Sequence, residues 1–199
     1  MKIATWNVER QKHHRLLGEM LDACKSICAD VLVLTETDHR IMPEYRFSCH
    51  TPLMSEFTPA AYGKTENRVS IYTNYPIVRQ YPTYDDRTAL CVELETENGN
   101  LIIYATIMGV YGNRHASFIS DVKAQVKDIY NLISTGKAVC ICGDYNWSFA
   151  DNYYFTKESR NILLRLKTKP AGISWVLSFF LIGSTKNGII RQQVKEQLQ

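Results

Sequence analysis

Lys2-Ile3-Ala4-Thr5-Trp6-Asn7-Val8-Glu9 and Ala29-Asp30-Val31-Leu32-Val33-Leu34-Thr35-Glu36-Thr37-Asp38 are the two stretches whose reading decides the fold. Each holds a short apolar run with β-branched residues that ends on polar side chains. Between them Leu16, Leu17, Met20, Leu21, Cys24, Ile27 and Cys28 recur at helical spacing. The order is strand, helix, strand.

Working outward, strands are expected at Val69–Thr73, Ile77–Tyr81, Ala89–Glu95 and Leu101–Ile107. Glu97-Asn98-Gly99-Asn100 supplies a hairpin turn between the last two, so the middle reads as antiparallel sheet. Ile119, Val122, Val126, Ile129 and Ile133 form a second helical stripe that ends near Gly136, and Ala138–Cys142 follows as another buried strand. This order predicts an α/β protein of mixed sheets covered by helices. With no repeat or low-complexity linker in view, one domain is expected over residues 1–165 and an atypical tail over 166–199.

The tail stands apart by charge. Residues 166–199 carry Lys167, Lys169, Lys186, Arg191 and Lys195 against the single acid Glu196. That surplus of four leaves residues 1–165 at −1 of the chain's +3. A near-neutral body lacks the broad basic footprint of a strong nucleic-acid binder, so any polyanion contact is local. The apolar run Ile173–Ile182 is half the length a bilayer-spanning helix needs, and a buried strand, a packing helix, a membrane-surface anchor and a non-native tail are all open readings. No signal-peptide core precedes Asn7 and Glu9, which predicts a cytoplasmic protein without a membrane span or an obligate protein partner. Cys24, Cys28, Cys49, Cys91, Cys140 and Cys142 show neither a small-domain disulfide framework nor CxxC spacing, which favours reduced thiols over disulfides or zinc.

Three polar motifs fall at the ends of expected buried strands: Trp6-Asn7-Val8-Glu9, Thr35-Glu36-Thr37-Asp38 and Gly143-Asp144-Tyr145-Asn146-Trp147. Carboxylates with nearby amides are the ligands of a hard cation that keeps part of its water shell, so Mg²⁺ or Mn²⁺ is the expected cofactor. Each motif alone has a plain structural explanation as a cap, a solvated strand end or a turn. Their conjunction points to a site.

In sequence and order, "KIATWNVE", "ADVLVLTETD" and "VCICGDYNW" resemble the endonuclease/exonuclease/phosphatase superfamily, which includes deoxyribonucleases, abasic-site endonucleases, sphingomyelinases and inositol phosphatases. "ENRVSIYTNYPI" at Glu66–Ile77 is similar to the family's central strand pair. The resemblance covers about residues 2–160. It implies a four-layer α/β/β/α sandwich of two mixed sheets flanked by helices, the second sheet incomplete, and a metal-dependent phosphoester hydrolase. By the same resemblance Glu36, Asn7 and Glu9 are the metal-site residues, Asp144 orients or deprotonates the attacking water, and Asn146 steadies the phosphate. Tyr111 and Asn113, in "GVYGNRH", fall where members contact the phosphate, and Arg114 and His115 adjoin them. The implied partner is a phosphate-ester substrate, nucleic acid among the candidates.

One part of the pattern is missing. The family ends in a late-strand Asp and an Asp-His motif, whereas the last aspartate here is Asp151 and the last histidine His115. The expectation is a truncated or frameshifted end. An alternative to the enzyme is a catalytically inactive remnant that binds phosphate ligands.

Overall fold

The computed structural model describes residues 1–10, 15–109, 116–146, 179–185 and 188–194. The elements in chain order are β1 (Ile3–Asn7), α1 (Leu17–Ile27), β2 (Val31–Asp38), β3 (Phe47–His50), β4 (Glu66–Thr73), β5 (Ile77–Tyr81), β6 (Ala89–Thr96), β7 (Gly99–Ile107), α2 (Ala116–Ile133), β8 (Ala138–Asp144), β9 (Phe179–Thr185) and β10 (Gly188–Val194). One sheet has the order β1-β2-β4-β3 and the other β5-β6-β7-β8. In each, one edge strand pairs parallel to its neighbour, β1 with β2 and β8 with β7, and the remaining pairs are antiparallel.

Three apolar layers make this a four-layer sandwich. Alternation along the strands sends Val31, Val33, Val69 and Ile71 of the first sheet against Val92, Leu94, Ile103 and Cys140 of the second. The opposite face of the first sheet, with Ala4, Trp6, Leu32 and Leu34, receives Met20 and Cys24 of α1. The outer face of the second sheet, with Cys91, Ile102, Tyr104 and Ile141, receives Val122, Val126 and Ile129 of α2. The layer order α/β/β/α therefore follows from which residue parity is apolar on each strand. A fully buried Leu or Ile in such a layer contributes about 1.5–3 kcal/mol by removal from water.

The helix limits have local causes. Leu16 is 42% exposed and lies before the first turn of α1, while Cys28 takes φ 48° and its N–H donates to the Lys25 carbonyl. The apolar stripe is thus narrower than Leu16–Cys28, because its last member is the left-handed cap and not a core residue. Gly136, at φ 74°, ends the turn after α2 with its N–H on the Ile133 carbonyl. The 97–98 turn joins β6 to β7 in the register Thr96↔Gly99.

The middle strands are antiparallel but do not form one sheet. β4 crosses to β2, so only β5 to β7 build the antiparallel part of the second sheet. Strand β3 carries no apolar alternation in Phe47-Ser48-Cys49-His50 and pairs on one side only, as an edge strand. In the tail, β9 and β10 form an antiparallel hairpin, and β9 runs beside β1. Phe179–Ile182 of the apolar run lies in β9; its first part and the expected boundary near residue 165 lie outside the described residues. No helix among the described residues is long and apolar enough to cross a membrane.

Candidate functional site

The C-terminal ends of β1 and β8, one from each sheet, meet through a side-chain hydrogen bond: Asn7 Nδ2 donates to Asp144 Oδ2 at 2.7 Å. Both residues also close their own strand ends. Asn7 Oδ1 accepts the Glu9 N–H at 2.9 Å, and Asp144 Oδ1 accepts the Asn146 N–H at 2.8 Å. These are the same Asx turn made twice, where a short polar side chain captures the backbone two residues on. Each Asp144 oxygen then has one partner and a lone pair left over.

The β7 end is tied into the same place. Met108 donates its N–H to the Asp144 carbonyl and accepts from Asn146 Nδ2, both at 2.8 Å. Behind it, Asp121 of α2 accepts the Gly109 N–H at 2.8 Å. Gln125, fully buried, joins Asp121 to Thr106 and to the Ile107 carbonyl. A helix thereby fixes the exit of β7, from which the segment holding Tyr111 and Asn113 departs. Tyr111, Asn113, Arg114 and His115 lie outside the described residues.

Glu36 sits one residue beyond the Asn7↔Thr35 pair. It interrupts the β2–β4 ladder, in which Thr35 pairs with Val69 and Thr37 with Asn67 while position 36 has no partner. Its φ is 48°. Glu9, Arg10 and Asn146 are likewise left-handed, at 54°, 63° and 49°, so four of the five non-glycine residues with positive φ among those described lie at this end. Each conformation costs roughly 1–3 kcal/mol for a residue with a Cβ and persists only where the surroundings impose it.

Several residues here were not singled out from sequence. Arg10 forms an ion pair with buried Glu66 at 2.8 Å, donates to the Ala61 carbonyl and stacks over Tyr62 at 4.3 Å. The Glu66 hydrogen bond, opposed by burial and aided by the charges of Glu66, Tyr62 and Glu36, raises the Arg10 pKa. Glu66 also accepts the Gly63 N–H, and buried Asp38 is held by Arg40 and Thr65. Asn67 is buried with its amide nitrogen on the Val69 carbonyl and Ser70 Oγ. The sequence signals for this group were Asp38 at the close of the Thr35–Asp38 motif and the polar opening Glu66-Asn67-Arg68 of the segment that resembles the family's central strand pair; Arg10, Arg40 and Tyr62 carried none.

The donor set suits a hard, partly hydrated cation. Among the described residues no three His, Cys, Asp or Glu side chains cluster tightly enough to cage a metal. What is present is a half-buried carboxylate residue, Glu36, one position beyond the Asn7↔Thr35 pair, and the Asn7 amide oxygen, which keeps one lone pair after accepting from Glu9. Mg²⁺ is bound in this manner, through one or two carboxylates with retained waters.

The sequence model of the Endonuclease/Exonuclease/phosphatase family matches residues 4–188. The chain belongs to that family. Among solved structures it is similar to sphingomyelinase C from Streptomyces griseocarneus, with 16% identity and TM-score 0.58, covering 86% of this chain and 71% of that one. It is also similar to a variant of beta toxin from Staphylococcus aureus with bound magnesium ions, at 17% identity and TM-score 0.56, covering 85% and 71%. An AP endonuclease from Archaeoglobus fulgidus matches at 14% identity and TM-score 0.57, covering 83% and 70%. These likenesses show the shared fold. No curated protein matches the chain by sequence.

Proposed function

We propose that this protein hydrolyses phosphate esters with a divalent cation, Mg²⁺ or Mn²⁺, held by Glu36 with Asn7, and with Glu9 near it. The observation that carries the reading is the Asn7–Asp144 hydrogen bond, which joins the strand ends of both sheets beside Glu36. Family membership and the local concentration of left-handed residues support it.

The cation, when bound, offsets negative charge on the phosphate oxygens. The chain's own residues supply the rest. Asp144, with its two oxygens held by Asn7 and by the Asn146 backbone, has a fixed rotamer and a free lone pair with which to accept a water proton. Asn146 is exposed, and its side-chain amide nitrogen donates one N–H to the Met108 carbonyl, which leaves a second N–H to donate to a phosphate oxygen. Asn7 orients Asp144 and not the water itself. Tyr111 and Asn113 are assigned phosphate contacts by the family resemblance alone.

The test is hydrolysis of plasmid DNA and of a chromogenic phosphodiester by the full chain with Mg²⁺, Mn²⁺ or EDTA, beside Glu36→Gln and Asp144→Asn. Metal-dependent turnover lost in both variants is the expected result. Turnover that persists in EDTA or in both variants would overturn the reading. A second reading is a phosphate-binding protein without turnover; folded protein that binds metal but never turns over would select it.

A further inference from the structure

Among the described residues only two arginines are half-buried, Arg10, whose side chain is still 38% exposed, and Arg68. Arg10 has a carboxylate partner, Glu66. Arg68 has none. Its guanidinium donates to Tyr62 Oη at 2.6 Å and lies 5.4 Å from the Tyr62 ring, and its Nε–H is buried without a hydrogen-bond partner. Arg10 Nε–H is buried and unpartnered as well. Half-burying a cation without a counter-ion is unfavourable, and a buried donor left unmade adds about 1–3 kcal/mol. The remaining exposed arginines with short-range acids, Arg40 and Arg87, are paired to Asp38 and Asp85.

The position of Arg68 is informative. In the β2–β4 register, with Thr35 opposite Val69 and Thr37 opposite Asn67, Arg68 lies opposite Glu36. Adjacent strands are about 5 Å apart, so the Arg68 backbone lies beside that of Glu36, whose charge acts on Arg10. The Arg68 guanidinium bonds to Tyr62, which also carries Arg10 on its ring. Tyr62 thus holds two guanidiniums, one at its edge and one over its face, with one carboxylate between them.

We propose that Arg68, with Arg10 and Tyr62, forms a second anion subsite that takes a phosphate group adjoining the scissile one. The inference rests on the phosphoester reading and narrows it to substrates with at least two phosphates. Arg presents a planar fork to phosphate, and Arg68, unlike Arg10, has no carboxylate bonded to it. An anion there accepts from the terminal N–H groups of Arg68 and supplies its missing counter-charge.

Two measurements test it. In the first, the metal-free full chain is titrated calorimetrically with inorganic pyrophosphate. Binding is expected, weakened about tenfold or more by Arg68→Met, less by Arg68→Lys, and retained in Asp144→Asn. Should Arg68→Met fail to fold by circular dichroism, Tyr62→Phe, which removes the Arg68 anchor, is expected to weaken binding severalfold. In the second, turnover is compared for p-nitrophenyl esters of thymidine monophosphate with and without a further phosphate on the sugar; Arg68→Met is expected to lower the preference for the two-phosphate ester about tenfold. Equal pyrophosphate affinity in wild type and the Arg68 and Tyr62 variants, or an unchanged substrate preference, would overturn the subsite. Failure of the wild type to turn over either ester would count against the hydrolase reading, and the titration would still decide the subsite.

Discussion

Asn7 and Asp144 lie 137 residues apart in sequence and are joined by a 2.7 Å hydrogen bond across the two sheets, each at the last position of its strand. The bond requires a donor on one side and an acceptor on the other. Asn7→Asp would place two carboxylates in contact, and one must take up a proton or move away. We expect a loss of about 1–3 kcal/mol at neutral pH that shrinks as the pH falls through the carboxylate range. Urea midpoints of wild type and variant at neutral and at acid pH measure it; an equal gap at both would show that the two side chains do not face each other.

Glu36 offers a trade between stability and function. With φ 48° and no ladder partner, it has a conformation that glycine adopts without a Cβ penalty. Glu36→Gly is therefore expected to leave stability unchanged or raise it by about 0.5–1 kcal/mol, while metal-dependent turnover is lost. Glu36→Gln keeps the backbone strain and should lose turnover without a stability gain. A clear drop in midpoint for Glu36→Gly would indicate that the carboxylate is held for structural reasons.

Much of this organisation was legible in the chain. Val31–Leu34 is apolar at every position, which requires burial on both faces, and the layers above and below it are the α1 core and the inter-sheet core. The polar residues closing β1 and β8 were visible because they interrupt apolar runs. Their contact was not, since nothing in local spacing says that strands from different sheets end at one place; the family resemblance was needed to group them. Arg68 and Tyr62 were hidden for another reason. An Arg inside an antiparallel strand normally reads as a solvated face, and only the register opposite Glu36 and the absence of an acid partner distinguish it. Tyr81 and Tyr84 show the same ambiguity, for Tyr81 packs on the outer core while Tyr84 is 56% exposed.

Two groups outside the site make stability pH-dependent in separate windows. His50 is pushed down to about 4 from 6.5 by burial and then by His39, whose ring is 5.0 Å away. The fold prefers its neutral form, so His50 contributes stability above pH 6.5 that is lost as the pH falls from 6.5 towards 4. Glu93 is pulled down to about 2 from 4.5 by hydrogen bonds from Lys137, Tyr81 and Asn100. Its contribution is complete above pH 4.5 and is lost as the pH falls from there towards 2. Melting temperature against pH should therefore decline in two stages. His50→Phe is expected to flatten the first stage only and Glu93→Gln the second only; a variant that shifts the whole curve in parallel would refute its assignment.

Gly143 sets the geometry on which Asp144 depends. Its φ is 129°, outside the range L side chains adopt, and a Cβ built there would lie 2.0 Å from the Thr106 carbonyl oxygen and 2.8 Å from the Thr106 nitrogen. Both atoms are backbone of the neighbouring strand β7, which pairs Thr106 with Gly143, so no rotamer change relieves the clash. Thr106 is itself held from behind by Gln125 and the Thr88 carbonyl. Gly143→Ala must then separate the ends of β7 and β8, and we expect a loss of about 3 kcal/mol or more, at the upper end for single substitutions. The same separation displaces Met108 from the Asp144 carbonyl and Asn146 amide, so activity should fall even in the fraction that remains folded. Urea unfolding together with kcat measured well below the midpoint separates the two effects. Wild-type stability in Gly143→Ala would mean that the β7–β8 end is looser than this packing requires.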